Sequence, residues 1–216
     1  MEKLFNIGFN IKYRKSISIG MVFLCLLIFS CMSFADQDQV QKIKQPINQL
    51  HETLINIMVV ADSTNSSERY DLLKPVIDGN FNIPLISKVV LSRYWKSIDN
   101  DKKSMFIDLF NELTISTYIS RFNKYDNQIF KNISIEQLKE NRYLVKTELI
   151  KPGDKPISFN YIVQKNDEQW RIISVIAKGI NDLALKRAEY TSIIKKDGFE
   201  ALITKLEQKI LNLKEN

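Results

Sequence analysis

The stretch Phe159–Leu211, FNYIVQKNDEQWRIISVIAKGINDLALKRAEYTSIIKKDGFEALITKLEQKIL, decides the fold. FNYIVQ reads as a half-apolar strand, and Asn166-Asp167 reads as the turn. QWRIISVIA, rich in β-branched residues, is the returning strand. After Gly179 the period changes from two to about 3.6. Leu183, Leu185, Ala188 and Ile193 then fall on helical spacing. Gly198 breaks that run, and Leu202, Ile203, Leu206, Ile210 and Leu213 form the stripe of a last helix. A hairpin therefore feeds a helix pair, and the apolar face of an antiparallel sheet must be covered.

Upstream, the pattern adds two strands, Ile129 to Leu138 and Arg142 to Ile150, before Ile157 to Lys165 and Gln169 to Ala177. Short polar turns such as Lys151 to Lys155 join them, which makes a meander of antiparallel strands. The half before the sheet is helical. Asp36 to Lys44 reads as a frayed polar lead-in, and Pro46 suits the first position of a helix with the stripe Ile47, Leu50, Leu54, Ile57 and Met58. Ser66 or Ser67 can cap the next helix, which carries Leu72, Leu73, Val76 and Ile77 and ends at Asp78-Gly79-Asn80. Pro84 opens a short helix that Tyr94-Trp95 closes, and Asp99 caps a long one running to about Lys124. The fold class is α+β, with a helical part over about 46–125, a sheet over about 129–177 and C-terminal helices over about 181–213.

The first 35 of the 216 residues read as a secretory signal. Lys3, Lys12, Arg14 and Lys15 form a cationic start, Ile17 to Phe29 is a mostly apolar run, and Ser33-Phe34-Ala35 supplies small residues for cleavage before Asp36. A lipoprotein signal using Cys31 is the rival reading, weakened by the bulky Phe29. Cys25 and Cys31, the two cysteines of the chain, lie in this leader, so residues 36–216 would carry no thiol. Those residues balance 27 Lys+Arg against 24 Asp+Glu, too mild an excess to imply nucleic acid.

An enzyme needs converging acids, bases or ligands. The single histidine, His51, sits in an amphipathic helix and reads as structural, satisfied or exposed. Neither HExxH, nor a phosphate-binding Gly-rich loop, nor GxSxG occurs, and Asp99, Asp101 and Asp108 read as a cap and a solvated face. No catalytic residue, metal ligand or cofactor is expected. What the chain has in excess is apolar bulk. Its aromatics either fill the core or line a pocket between sheet and helices.

A resemblance bears on that choice. Trp170-Arg171-Ile172, Val175, Gly179, then Leu183, Ala184, Arg187, Glu189, Tyr190, and Gly198, Leu202, Ile203 resemble the Mla/toluene-tolerance family of periplasmic phospholipid-binding shuttle proteins. So do Pro46 to Leu54, Arg69-Tyr70 with Leu73-x-Pro75-Val76-Ile77, Phe81-Asn82-Ile83-Pro84, Tyr94-Trp95, and Phe106-x-x-x-Phe110 followed by Thr117-Tyr118. The Lys186-Arg187-Ala188-Glu189-Tyr190 run looks closer to the branch associated with hopanoid biosynthesis. Ser92 departs from a usual glycine.

The resemblance implies a curved, cone-like sheet of four or five antiparallel strands, as in cystatin and nuclear-transport-factor folds, packed on helices with a small helical subdomain. It implies a phospholipid or related lipid as ligand, no enzymatic activity, and two partners: an inner-membrane ABC lipid transporter and an outer-membrane lipoprotein–porin complex. Its pocket candidates here are Phe81, Leu91, Tyr94, Trp95, Phe106, Phe110, Leu113, Tyr118, Phe159, Tyr161, Val163, Trp170, Ile172 and Val175. An isomerase- or dehydratase-like enzyme on the same cone is the competing reading, with Tyr161 as its best candidate group. A filled-core envelope protein is a third.

Overall fold

A computed structural model describes residues 19–215, with side chains from residue 37 onward. The expected leader, residues 1–35, falls outside the residues described with side chains. The chain divides into two compact units after Val40, and the core and cavity described below lie within the second.

Helix α1 (Ile19–Val59) supplies one wall of the core. Its stripe begins one turn earlier than the sequence pattern suggested, because Ile43 is buried with Ile47, Leu50, Leu54, Ile57 and Met58. Pro46 lies inside the helix rather than at its start. Proline there removes a backbone hydrogen bond, and the burial of Ile43 upstream helps offset that loss. Helix α2 (Ser66–Asn80) is capped by Asn65, not by a serine. The reason is reciprocal bonding: Glu68 N–H donates to Asn65 Oδ1 at 3.0 Å, and Asn65 N–H donates to Glu68 Oε2 at 2.9 Å.

The Phe81-Asn82-Ile83-Pro84 motif joins helix to sheet. Asn82 Oδ1 accepts from Leu85 N–H at 3.1 Å and caps α3 (Ile83–Leu91). Asn82 N–H donates to the carbonyl of Ile172 at 2.9 Å, which fixes the start of α3 on the sheet. A 3₁₀ turn, Ser92–Lys96, leads to α4 (Asn100–Arg121), capped by Asp99 as the sequence predicts.

The sheet is a five-stranded antiparallel meander in the order β1 (Ile129–Lys139), β2 (Arg142–Ile150), β3 (Ile157–Asn166), β4 (Gln169–Ala177) and the two-residue β5 (Ile180–Asn181). The β3–β4 turn centres one residue later than expected, with positive φ at Asp167 and Glu168. Lys178-Gly179, also at positive φ, adds β5 before α5 (Asp182–Asp197) begins. Gly198, φ 89°, ends α5, and α6 (Phe199–Glu215) follows with Leu202, Ile203, Leu206 and Ile210 buried. Helices α2, α3 and α5 pack on β4, while α4 and α6 pack on each other.

One irregularity sets which side chains point inward. Opposite Ile162 and Val163 the pairing slips, so that Val163 faces Ile172 while Ile162 faces Ser174. Ile173 is the extra residue of a β-bulge. Strict alternation cannot put both Ile172 and Val175 on one face. The bulge does, since Ile172 pairs with Val163 and Val175 pairs with Tyr161.

Candidate functional site

A cavity of about 630 Å³ lies between one end of the inner sheet face and helices α3, α4 and α5. Its deep wall is apolar: Phe81, Ile83, Ile86, Phe110, Phe122 and Ile173 line it and are buried. Met58 reaches it from α1, Leu149 from β2, Ile157 and Phe159 from β3, and Val175 and Ala177 from β4. Two threonines on α4 are neutralised as polar groups: Thr114 Oγ1 donates to the Phe110 carbonyl at 2.8 Å, and Thr117 Oγ1 to that of Leu113 at 2.6 Å. That leaves mostly methyls facing the cavity.

Exposed lining residues mark the mouth. They are Arg121, Asn123, Lys124, Lys178, Ile180 and Leu185. Half-buried Asp126, Asp182 and Lys186 stand with them. Lys186 Nζ lies 3.4 Å from Asp182 Oδ1, with its side chain only 15% exposed. Burial holds its ammonium below the ordinary lysine range, against Asp182 which pulls it up; Lys209 and Arg121 push it down further. Half-buried Tyr118 has its phenol pushed up, first by burial and then by Asp182, with Arg121 acting the other way. Tyr118, Arg121, Asp182 and Lys186 therefore form one electrostatic group at the mouth.

Five of the fourteen candidates line this cavity: Phe81, Phe110, Tyr118, Phe159 and Val175. The other nine lie elsewhere, for identifiable reasons. Tyr161, Val163 and Ile172 share the inner face with Phe159, but they sit at its other end and are fully buried. There Tyr161 Oη is hydrogen-bonded to His51 Nε2 at 3.0 Å, and Phe130 stacks on the imidazole with ring centroids 3.7 Å apart. His51 is thus a buried, partnered histidine, and Tyr161 is sealed from the cavity.

Phe106 sits one helical turn before Phe110, where it meets Tyr190 edge-on and Phe199 in the α4–α5–α6 core. Leu91 and Leu113 are also core residues. Tyr94 and Trp95 are in the 3₁₀ turn, beside Arg93 and Lys103 respectively. Trp170 packs edge-on against Tyr143 at the far end of β4. The sequence reading passed over Ile83, Ile86, Phe122, Ile157, Ala177 and Leu183, which line the cavity. The spacing Phe110, Thr114, Thr117, Tyr118, Arg121 along one face of α4 was the available signal.

Among the described residues no group of three or more His, Cys, Asp and Glu is placed to hold a metal, and no helix is long and apolar enough to cross a membrane. Residues 48–208 match the model of the MlaC protein family. The chain belongs to the MlaC family. A relative from Haemophilus influenzae, the intermembrane phospholipid transport system binding protein MlaC, is 26% identical over 144 residues. That match covers 65% of this chain and 65% of the relative's length. A phospholipid-binding protein from Ralstonia solanacearum, solved in complex with a phospholipid, has the same α+β fold at a TM-score of 0.70. It is 17% identical and the match covers 80% of this chain and 96% of the other. The MlaC-family assignment agrees with the resemblance read from the sequence motifs.

Proposed function

We propose that this chain is a periplasmic lipid carrier that buries the acyl tails of a phospholipid in the cavity between sheet and helices. The observation that carries the proposal is that cavity: about 630 Å³, apolar in depth, with charge confined to its mouth. Its size lies within the usual range for ligand pockets. Each methylene withdrawn from water contributes about 0.8 kcal/mol, so a two-tailed lipid does not cross an aqueous space unaided. Its headgroup must stay at the mouth, because an unpaired phosphate in the apolar depth would be far more costly than the tails are favourable.

In this reading residues 1–35 are a cleaved export signal and residues 36–216 the lipid-binding domain. The carrier moves lipid between the outer and inner membranes, exchanging it with an outer-membrane lipoprotein–porin complex and an inner-membrane ABC transporter. Outer-membrane lipid asymmetry and solvent tolerance would follow from that traffic. A hopanoid-type lipid is an alternative cargo of the same cavity. The names of the two relatives support phospholipid. The enzyme reading loses its best group, since Tyr161 is fully buried and bonded to His51, with no access to the cavity.

The test is mass spectrometry of the purified chain. Phospholipid is expected to co-purify, and Ala177→Trp, which places a ring in the cavity, should lower the amount per folded molecule at least severalfold. Wild-type protein that carries no lipid from cells and takes none from vesicles would sink the proposal.

A further inference from the structure

The mouth of the cavity holds more positive charge than its own carboxylates balance. Arg121, Lys124, Lys178 and Lys186 line it against Asp126 and Asp182. Asp126 is shared by Lys124, at 3.5 Å, and by Lys151, at 3.1 Å. Among the described residues, Asp182 pairs with Lys186 alone, at 3.4 Å. Among the described residues, Arg121 and Lys178 make no ion pair. Lys186 is also mostly withdrawn from water and close enough to Arg121 and Lys209 to feel both.

A half-desolvated ammonium with one carboxylate beyond ideal hydrogen-bond distance and further cations nearby is unfavourable until an anion arrives. The group that fits is a phosphate, which accepts from several cationic donors at once. Because the cavity behind it is apolar, the phosphate must belong to an amphiphile whose tails run inward. A headgroup that also carries an ammonium would place that charge against Arg121 and Lys178, where like charges repel.

We infer that Arg121, Lys178 and Lys186 seat the phosphate of the lipid headgroup and select a headgroup of net negative charge over a zwitterionic one. This rests on the lipid-carrier reading above, and it assigns that carrier a cargo preference. Tyr118, which lines the cavity three residues before Arg121 on α4, offers its hydroxyl as a further donor to the same phosphate.

The experiment loads the delipidated chain from vesicles of phosphatidylglycerol and phosphatidylethanolamine in equal amounts, then counts both lipids on the re-isolated protein. Wild type is expected to take phosphatidylglycerol in at least severalfold excess. Arg121→Gln combined with Lys186→Gln should take the two in the vesicle proportion, and Lys186→Arg should keep the preference. Should the Lys186 change prevent folding, Arg121→Gln alone decides, since Arg121 is exposed on α4. It must weaken the preference at least twofold, and an unchanged preference overturns the inference.

Wild type taking both lipids in the vesicle proportion overturns the selection and leaves the carrier reading standing. Uptake of neither lipid removes both. A parallel titration of lipid-free protein with inorganic phosphate separates the sources. Saturable phosphate binding lost in the double variant, with no lipid preference in wild type, would assign the mouth to free phosphate and overturn the headgroup.

Discussion

Strand β3 presents one inner face with two different ends. At one end Tyr161 and Val163 are wholly buried, and at the other Ile157 and Phe159 are half-buried and line a cavity. The inward positions are apolar or aromatic at both ends, so the inner face of the strand does not make the difference. What differs is the cover. Over Tyr161 lies α1, held by the His51 hydrogen bond and the Phe130 stack. Over Phe159 stand α3, α4 and α5, which leave about 630 Å³ between them. One sheet face can therefore be core and binding wall at once, and position along the strand decides which.

The largest expected effect attacks the packed end with acid. His51 is neutral in the fold, its pKa pushed down from 6.5 to about 3 by burial. Above pH 6.5 neither folded nor unfolded chain protonates it, so it adds no pH dependence. Between pH 6.5 and 3 the unfolded chain takes a proton that the folded chain refuses, and stability falls by about 1.4 kcal/mol per pH unit. The loss from this one residue should reach about 2 kcal/mol at pH 5 and about 3 kcal/mol at pH 4. His51→Phe should be less stable at pH 7, by about 1–3 kcal/mol, because Tyr161 Oη is left buried and unpaired. Its stability should nevertheless vary less with pH. Urea denaturation of both proteins from pH 7 to pH 4 checks this, and parallel pH profiles would show that His51 is not the titrating group.

A pair of tryptophans tests the two ends against each other. Val163→Trp adds a ring where no space exists and should destabilise by about 1–3 kcal/mol, with lipid per folded molecule unchanged. Ala177→Trp adds it to the cavity lining and should leave the lipid-free protein within about 1 kcal/mol of wild type while displacing lipid. Thermal melts of delipidated protein, with bound lipid counted separately, give both readouts. Equal destabilisation by the two rings would erase the distinction between packed end and cavity end.

How much of this was legible follows from which signals are local. Period two located the four long strands, and the apolar stripe of α6 was read residue for residue, because those faces meet water on one side and core on the other. The cap on α2 was misplaced by one or two residues because Ser66 and Ser67 are as suitable as Asn65 in isolation. Only the reciprocal bond with Glu68 favours asparagine. The division of β3 into two ends was not legible, since burial there depends on helices distant in sequence. Nor was the Ile173 bulge, without which Ile172 and Val175 cannot share a face. The cationic mouth was missed because Arg121, Lys178 and Lys186 are scattered along the chain and come together through α4, the β4–β5 turn and α5.

The smallest expected effect concerns the end of α3, one of the helices bordering the cavity, where Ser92 holds φ 53° and ψ −125°. That conformation suits glycine, and a serine there is strained by on the order of 1–3 kcal/mol. Arg187 of α5 donates from Nη2 to Ser92 Oγ at 3.0 Å, an exposed bond that links the two helices bordering the cavity. Ser92→Gly relieves the strain but loses this bond, worth about 0.5–1.5 kcal/mol, and frees the unfolded chain by about 0.4–1 kcal/mol. The terms nearly cancel, so the net change should be stabilising by less than about 1 kcal/mol. Ser92→Ala loses the bond and keeps the strain, so it should be destabilised by about 0.5–1.5 kcal/mol. The order glycine, serine, alanine in thermal stability is the checkable result. An alanine variant more stable than the glycine variant would mean that the backbone at Ser92 is not strained, and that the end of α3 beside the cavity is as relaxed as the packed end.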